Sequence, residues 1–250
     1  MSNSIKEIFR HAIRKLGWDV HRYQVSKSDD ARLQAILSSL EIDLIIDVGA
    51  NIGQYAKGLR NIGYFGNIVS FEPMSAAHMQ LVEAGRTDKR WAIAPRMALG
   101  RDSGDVAIHI SGNSVSSSLL NMTDIHISAQ PTSAPIATEM VPVRTLDSVF
   151  GEYGASAQRV FLKVDVQGYE LEVLNGALQS LDHIVALQIE VSLCVLYLGQ
   201  PSMDEIIAFM KANRFEVMAC MSGFSDETTG RAYQIDLIFV RADKFARQLE

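Results

Sequence analysis

Residues 42–53, IDLIIDVGANIG, constrain this chain more than any other stretch. Residues 42–48 form an apolar run interrupted by Asp43 and Asp47. A run with so little alternation suits a strand buried on both faces of a parallel sheet. Gly49 and Gly53 then permit a tight turn and a close approach of backbone to a neighbour or a ligand. Helical spacing follows over residues 51–61. Strand-like segments recur at 67–71, 91–99, 160–164, 183–189, 215–219 and 235–240, with a helix-like segment at 74–84 and others beside the later strands. Such alternation predicts an α/β fold: a mostly parallel sheet, helices on both faces, right-handed crossovers.

One stretch breaks the alternation. Residues 111–137 are rich in Ser, Thr, Asn and Pro, and lie between alternating segments at 105–110 and 139–144. A connection this long is functional or disordered. Because it carries Leu119, Leu120, Met122 and Ile125, we read it as a lid that folds over a site. Ahead of the sheet, Ile5, Ile8, Phe9, Ala12, Ile13 and Leu16 recur at helical spacing over residues 3–16, with Lys6, Arg10, Arg14 and Lys15 on the other face. That helix either caps the core or rests on a membrane surface or a second subunit. Gly17 ends it, and a second helix follows over 28–39, capped by Ser28 or Asp29. The expected organisation is an N-terminal helical extension (1–41) and one domain (42–250) with the lid inserted.

Composition narrows the partners. Lys and Arg number 23 against 29 Asp and Glu, a net charge of −6, and such a field does not attract nucleic acid. Cys194 and Cys220 are too few for a disulfide scaffold, so a reduced, cytoplasmic setting is expected. No apolar run approaches the ~20 residues that span a bilayer.

Four motifs carry chemistry. Asp47-Val-Gly49-Ala50-Asn51-Ile-Gly53 follows a buried strand and opens a helix whose free amides would face a ligand. Its G-x-x-x-G spacing is not the dinucleotide fingerprint. Glu72, in Phe71-Glu72-Pro73 at the tip of the second strand, is placed to bind both hydroxyls of a ribose, or else caps the next helix. Asp165, in LKVDVQGYE, sits at a strand's carboxyl end, where open α/β sheets bind ligands. Lys163 shares its side of the strand and needs a partner if buried. Glu190 ends a further apolar strand, and Asp165 with Glu190 either holds a divalent ion such as Mg²⁺ or binds substrate hydroxyls directly.

DVGANIGQY, SFEP and LKVDVQGYE together resemble the FkbM-family methyltransferases, which use S-adenosylmethionine. The resemblance runs from residue 42 to 240 and extends to SGNSVSSSLL (111–120), VPVRTLDS (141–148), GQP (199–201) and the GF-x-D-x-x-TGR stretch from Gly223 to Arg231. Many relatives carry LKIDVEG, where this chain has Gln167 in place of Glu. The resemblance implies a Rossmann-like class I methyltransferase fold with a seven-stranded sheet and an antiparallel last strand. It implies O-methylation of a sugar, a glycan, possible lipid-linked forms of it, or a similar secondary-metabolite acceptor.

It also implies site roles. Asp47, Gly49, Asn51 and Gly53 would line the methionine end of the cofactor, with Ala50, Gln54 and Tyr55 beside them. Glu72 and Pro73 would hold the ribose, Met97, Ala98 and Leu99 would flank adenine, and Asp165 would lie near the methionine amino group or the acceptor.

A hydroxyl attacks a sulfonium methyl only as its proton leaves, so a base or a metal must assist. His126, in the lid, is the candidate base, and Asp165 with Glu190 the competing activator. Ser114, Ser116, Ser117 and Ser118 offer hydroxyls to a polar acceptor, and Tyr197 and Gln200 would wall its pocket. His11, His21, His78, His109 and His183 carry no assigned role. A homodimer through residues 3–16 is open. The rival functions are a nicotinamide-dependent oxidoreductase, disfavoured by the missing third glycine, and a non-catalytic module that keeps the fold.

Overall fold

The structure, a computed structural model, describes residues 3–18, 20 and 22–245, so His21 lies outside the described residues, as do the ends of both expected domains. The described residues form ten strands: β1 (Leu44–Val48), β2 (Asn67–Phe71), β3 (Trp91–Ile93), β4 (Ala98–Leu99), β5 (Gly104–Ser111), β6 (Pro135–Arg144), β7 (Val160–Val164), β8 (Ile184–Ser192), β9 (Phe215–Ser222) and β10 (Gln234–Arg241). The helices are α1 (Asn3–Arg14), α2 (Asp29–Ser39), α3 (Gln54–Asn61), α4 (Ser75–Gly85), α5 (Asp124–Ala129), α6 (Leu146–Tyr153), α7 (Glu170–Asn175) and α8 (Met203–Ala212), before a last short turn at Ala242–Phe245.

Seven strands build the main sheet in the order β3-β2-β1-β7-β8-β10-β9. The pairs β1–β2, β2–β3, β1–β7 and β7–β8 are parallel, and β10 runs antiparallel to both neighbours. This is the seven-stranded sheet that the family resemblance implies. Strand order reverses between β1 and β7, and crevices for ligands open at the carboxyl ends of strands on either side of such a switch. All five residues of β1 and of β7 are buried, which explains why both are apolar but for Asp47 and Lys163.

Each face of the sheet has its own core. One face carries Ile45, Phe161, Ala186 and Ile238 against Leu33, Ile36 and Leu37 of α2 and Ala56 and Leu59 of α3. The other carries Ile46, Leu162, Leu187 and Phe239 against Phe150 of α6, Leu174 of α7 and Met210 of α8. Helix α2 is therefore part of the core and not an appendage to it. Its N-cap is Ser28, whose hydroxyl accepts from the Ala31 amide at 3.3 Å. Around α1, by contrast, Phe9, Leu16 and Trp18 stay exposed. Among the described residues no helix is long and apolar enough to cross a membrane.

Two expectations change. The single strand at 91–99 is broken: β3 belongs to the main sheet, whereas β4 joins a separate three-stranded sheet, β4-β6-β5. Pro95 lies at the break, and a proline cannot donate to a ladder. Residues 111–137 are also not one loop. Short 3₁₀ turns at Ser114–Ser116 and Pro131–Ser133 flank α5, and β6 already begins at Pro135. The segment springs from the β5–β6 pair, whose last register is Ser111 opposite Pro135.

Candidate active site

A cavity of about 590 Å³ opens at the switch point and lies within the size range of small-molecule sites. Its lining at the β1, β2 and β4 ends, the inner half, comprises Gly49, Ala50, Asn51, Glu72, Pro73 and Met74 with Met97, Ala98 and Leu99. Its outer half carries Lys163, Asp165, Gln167, Gln188, Asp236 and Tyr55. Ser114, Val115, Ser117, Ser118 and Leu119 close it from the inserted segment.

The glycine turn shapes the inner half for two separate reasons. Gly49 has φ +83°, and a Cβ on it would fall 1.8 Å from the Asp165 carbonyl oxygen, so only glycine lets the β1 and β7 tips meet. Gly53 has φ +87°, and its Cβ would strike the Trp91 ring at 2.5 Å. Gly53 is thus demanded by packing. It does not line the cavity, contrary to its expected cofactor role.

Glu72 is 2% exposed, and its two oxygens accept from the amides of Asn51 and Met74, each at 2.8 Å. It ties the glycine turn to the start of α4, as the capping reading expects, and it also lines the cavity. Burial pushes its carboxyl up to about 7, against the pull of the two amides. Asn51, with φ +48°, accepts from the Ser114 hydroxyl at 3.2 Å, which brings the inserted segment onto the turn.

Asp47 requires correction. It is the fourth residue of β1, fully buried, and does not line the cavity. The Trp91 indole donates to the Ser70 hydroxyl at 3.0 Å, which donates to Asp47 Oδ2 at 3.0 Å. Asp47 Oδ1 has no hydrogen-bond partner. Burial raises its carboxyl, while Lys163 and Ser70 oppose the rise. Asp47 therefore organises β1, β2 and β3 and supplies charge to Lys163 from behind the turn.

The outer half is a polar row on one face of the sheet, because Asp47, Lys163 and Gln188 stand in register. Lys163 Nζ donates to Asp165 Oδ2 at 2.9 Å and lies 5.0 Å from the centre of the Tyr55 ring. Burial works against the ammonium, but Asp165 and Asp47 outweigh it and raise its pKa. The Tyr55 hydroxyl donates to Gln188 Oε1 at 2.8 Å. Asp236 is pushed up to about 6 by burial and by the Asp165 charge, with Lys163 and Gln188 opposing. Of the expected cofactor residues, Gln54 and Tyr55 do line the cavity, as do Met97 and Ala98.

Glu190 lies inside β8, not at its tip, and its Oε2 accepts from Gln167 at 2.6 Å and from Gln234 at 2.6 Å. Burial first, and then the Asp165 charge, raise its carboxyl well above the usual range. Gln167 Nε2 also donates to Asp165 Oδ1 at 2.8 Å. Among the described residues no three His, Cys, Asp or Glu side chains stand close enough to hold a metal ion.

The acceptor-side expectations divide. Ser114, Ser117 and Ser118 line the cavity. Ser118 donates to the Gln167 carbonyl at 2.6 Å, and Ser117 accepts from the Ser111 amide at 3.0 Å, so much of their hydrogen-bonding capacity shapes the segment itself. Tyr197 and Gln200 do not reach the cavity. Tyr197 is fully buried, its hydroxyl 2.8 Å from Gln167 Oε1 and 3.0 Å from the Ser116 carbonyl. Gln200 Oε1 accepts from the amides of Leu196 and Tyr197, so it braces their loop.

His126 is the largest correction. It is 1% exposed, packs edge-on against Tyr197 with ring centres 5.1 Å apart, and does not line the cavity. Burial lowers its pKa, and its Nδ1 has no hydrogen-bond partner. A ring so enclosed cannot take a proton from a molecule in the cavity. His78 and His183 also serve structure, the first against the Ala94 carbonyl at 2.9 Å and the second stacked on Phe150. Sequence reasoning gave no role to Gln167, Gln188 or Asp236. The signal was present: each is a polar residue in or just after a mostly apolar strand.

The chain is 29% identical over 149 residues to the hexuronic acid methyltransferase AglP of Haloferax volcanii, covering 58% of this chain and 55% of that one. It thus spans about half the length of the curated relative that it matches. Among solved structures, magnesium protoporphyrin IX methyltransferase from Synechocystis PCC 6803 matches with a TM-score of 0.45 at 12% identity, covering 94% of this chain and 96% of that one. Fibrillarin from Aeropyrum pernix matches with a TM-score of 0.43 at 10% identity, covering 79% and 66%. The methyltransferase FkbM domain matches residues 47–217, more than half of the sequence, and the chain belongs to that family.

Proposed function

We propose that this chain transfers a methyl group from S-adenosylmethionine to a hydroxyl of a saccharide or similar polyol. The observation that carries the reading is one cavity lined by Glu72, by apolar residues at 97–99 and by the Lys163, Asp165 and Asp236 side chains, with residues of the inserted segment beside them. The inner half fits the cofactor. Glu72 offers a buried carboxylate of the kind that accepts from ribose hydroxyls. Met97, Ala98, Leu99 and Pro73 offer an apolar slot for a flat base, and Gly49 keeps the backbone out of the way.

S-adenosylmethionine supplies an electrophilic methyl on a sulfonium. The chain's own task is to orient the acceptor oxygen and take its proton. Asp165 is the best-placed group: its side chain is 30% exposed, it lines the cavity, and Lys163 and Gln167 fix both of its oxygens. A carboxylate so held can accept from an acceptor hydroxyl in a fixed direction, and such alignment is worth several kcal/mol of barrier. Proton transfer to a positioned side chain contributes typically 10²–10⁴-fold. Asp236, Gln188 and Tyr55 supply acceptors and donors for further hydroxyls of a polyol. The Haloferax relative's name points the same way, towards a saccharide. The glycine spacing and the family membership both weigh against the nicotinamide alternative.

The test has two parts. Titration calorimetry with S-adenosylhomocysteine measures the inner half, and transfer of labelled methyl to a panel of glycosides measures the outer half. Binding together with transfer that Asp165→Asn lowers supports the reading. Absence of S-adenosylhomocysteine binding overturns it.

A further inference from the structure

The carboxylates of Asp165 and Glu190 face each other across a side-chain amide. Gln167 Nε2 lies 2.8 Å from Asp165 Oδ1 and 2.6 Å from Glu190 Oε2, so both of its hydrogens are used. The carboxylates set the orientation of the amide, because reversal would turn its carbonyl oxygen towards Asp165 Oδ1 and Glu190 Oε2. Gln234 adds a second amide donor to Glu190 Oε2 at 2.6 Å. Gln167 is itself held in an uncommon backbone state, φ +55°, which a non-glycine residue adopts when its surroundings impose it. Those surroundings are the Ser118 hydroxyl on its carbonyl at 2.6 Å and the Tyr197 hydroxyl on its Oε1 at 2.8 Å.

We infer that Gln167 is a positioning residue that does the work of a shared divalent cation, so the Asp165–Glu190 pair operates without metal. A cation between two carboxylates offsets their repulsion and fixes their directions. Two N–H donors from one amide do the same with weaker bonds and no exchange with solvent ions. The device has a second effect. Because Gln167 is fastened to Ser118 and, through Tyr197, to Ser116, the covering segment and the orientation of Asp165 are linked. The inference rests on Asp165 serving the acceptor, but its metal-binding readout does not require methyl transfer.

Manganese is the probe. Mn²⁺ is titrated, by electron paramagnetic resonance of the free ion, into the S-adenosylhomocysteine complex of wild type and of Gln167→Glu. Gln167→Glu places a third carboxylate among the two and is expected to bind one Mn²⁺ at least ~100-fold more tightly than wild type. Chelator treatment is expected to leave the wild-type rate unchanged. Gln167→Met removes the donors and adds no charge, so kcat is expected to fall at least ~10-fold with the KM for cofactor unmoved. Wild type that binds Mn²⁺ at a site lost in Glu190→Gln overturns the inference. So does a folded Gln167→Glu variant that binds none. If Gln167→Glu does not fold, a chelator-sensitive wild-type rate or a fully active Gln167→Met overturns it instead. S-adenosylhomocysteine binding is read separately, so loss of the methyltransferase reading would be visible on its own.

Discussion

Glu72→Gln tests the inner half of the cavity, because Glu72 both holds two backbone amides and lines the cavity. In the native carboxylate each oxygen accepts one buried backbone amide. The glutamine keeps the shape but replaces one oxygen with an NH₂, so either the Asn51 or the Met74 amide loses its acceptor. An unsatisfied buried donor costs about 1–3 kcal/mol. A second effect has the opposite sign and depends on pH. The Glu72 carboxyl is raised from 4.5 to about 7, chiefly by burial. Burying the ionised form therefore costs about 3 kcal/mol at pH 8. A raised acid binds its proton more tightly folded than unfolded. Its contribution is fully present below the unfolded value and is lost as pH rises through the folded one. Glutamine carries no such contribution. The variant should thus be less stable than wild type at pH 5 and should recover relative to it by about 3 kcal/mol at pH 8. The other raised carboxylates are common to both proteins and cancel in the comparison. Urea unfolding at the two pH values measures the difference, and S-adenosylhomocysteine titration at pH 8 should show at least ~10-fold weaker binding. A stability difference that does not change with pH would refute the burial argument. Unchanged binding would refute the ribose role.

Asp165→Asn should lower methyl transfer by at least ~10²-fold, with S-adenosylhomocysteine affinity changed less than tenfold, in rate and binding assays run side by side. His126→Ala should keep most of its turnover yet lose about 1–3 kcal/mol of stability through its contacts with Tyr197 and Phe224, as read by urea unfolding. Gly53→Ala, with its Cβ aimed at the Trp91 ring and its backbone at φ +87°, should cost about 2–4 kcal/mol by the same measure.

The sequence made the main sheet legible because burial on both faces leaves long apolar runs, and β1, β2 and β7 fall where those runs predict. Strand ends were legible for the same reason: Glu72 and Asp165 are the polar residues where apolar runs stop. The small sheet was not, because β4 has two residues and pairs with β6 more than 40 positions away. No local periodicity can report a partner at that distance. The covering segment misled in a more instructive way. Its serines and its histidine look like free polar groups awaiting a ligand, since a sequence displays donors and acceptors without their partners. In the fold most of these groups are already engaged: Ser118 with Gln167, Ser117 with Ser111, and His126 against Tyr197. A polar residue in such a segment first has to satisfy the backbone that it closes over. His126 still bears on the site, but at two removes. It packs against Tyr197, whose hydroxyl meets Gln167, whose amide holds Asp165. Residues that touch the acceptor and residues that hold them can carry the same side chains in the same segment. Only their three-dimensional partners separate them, and here those partners keep the histidine away from the cavity that the strand-end carboxylate lines.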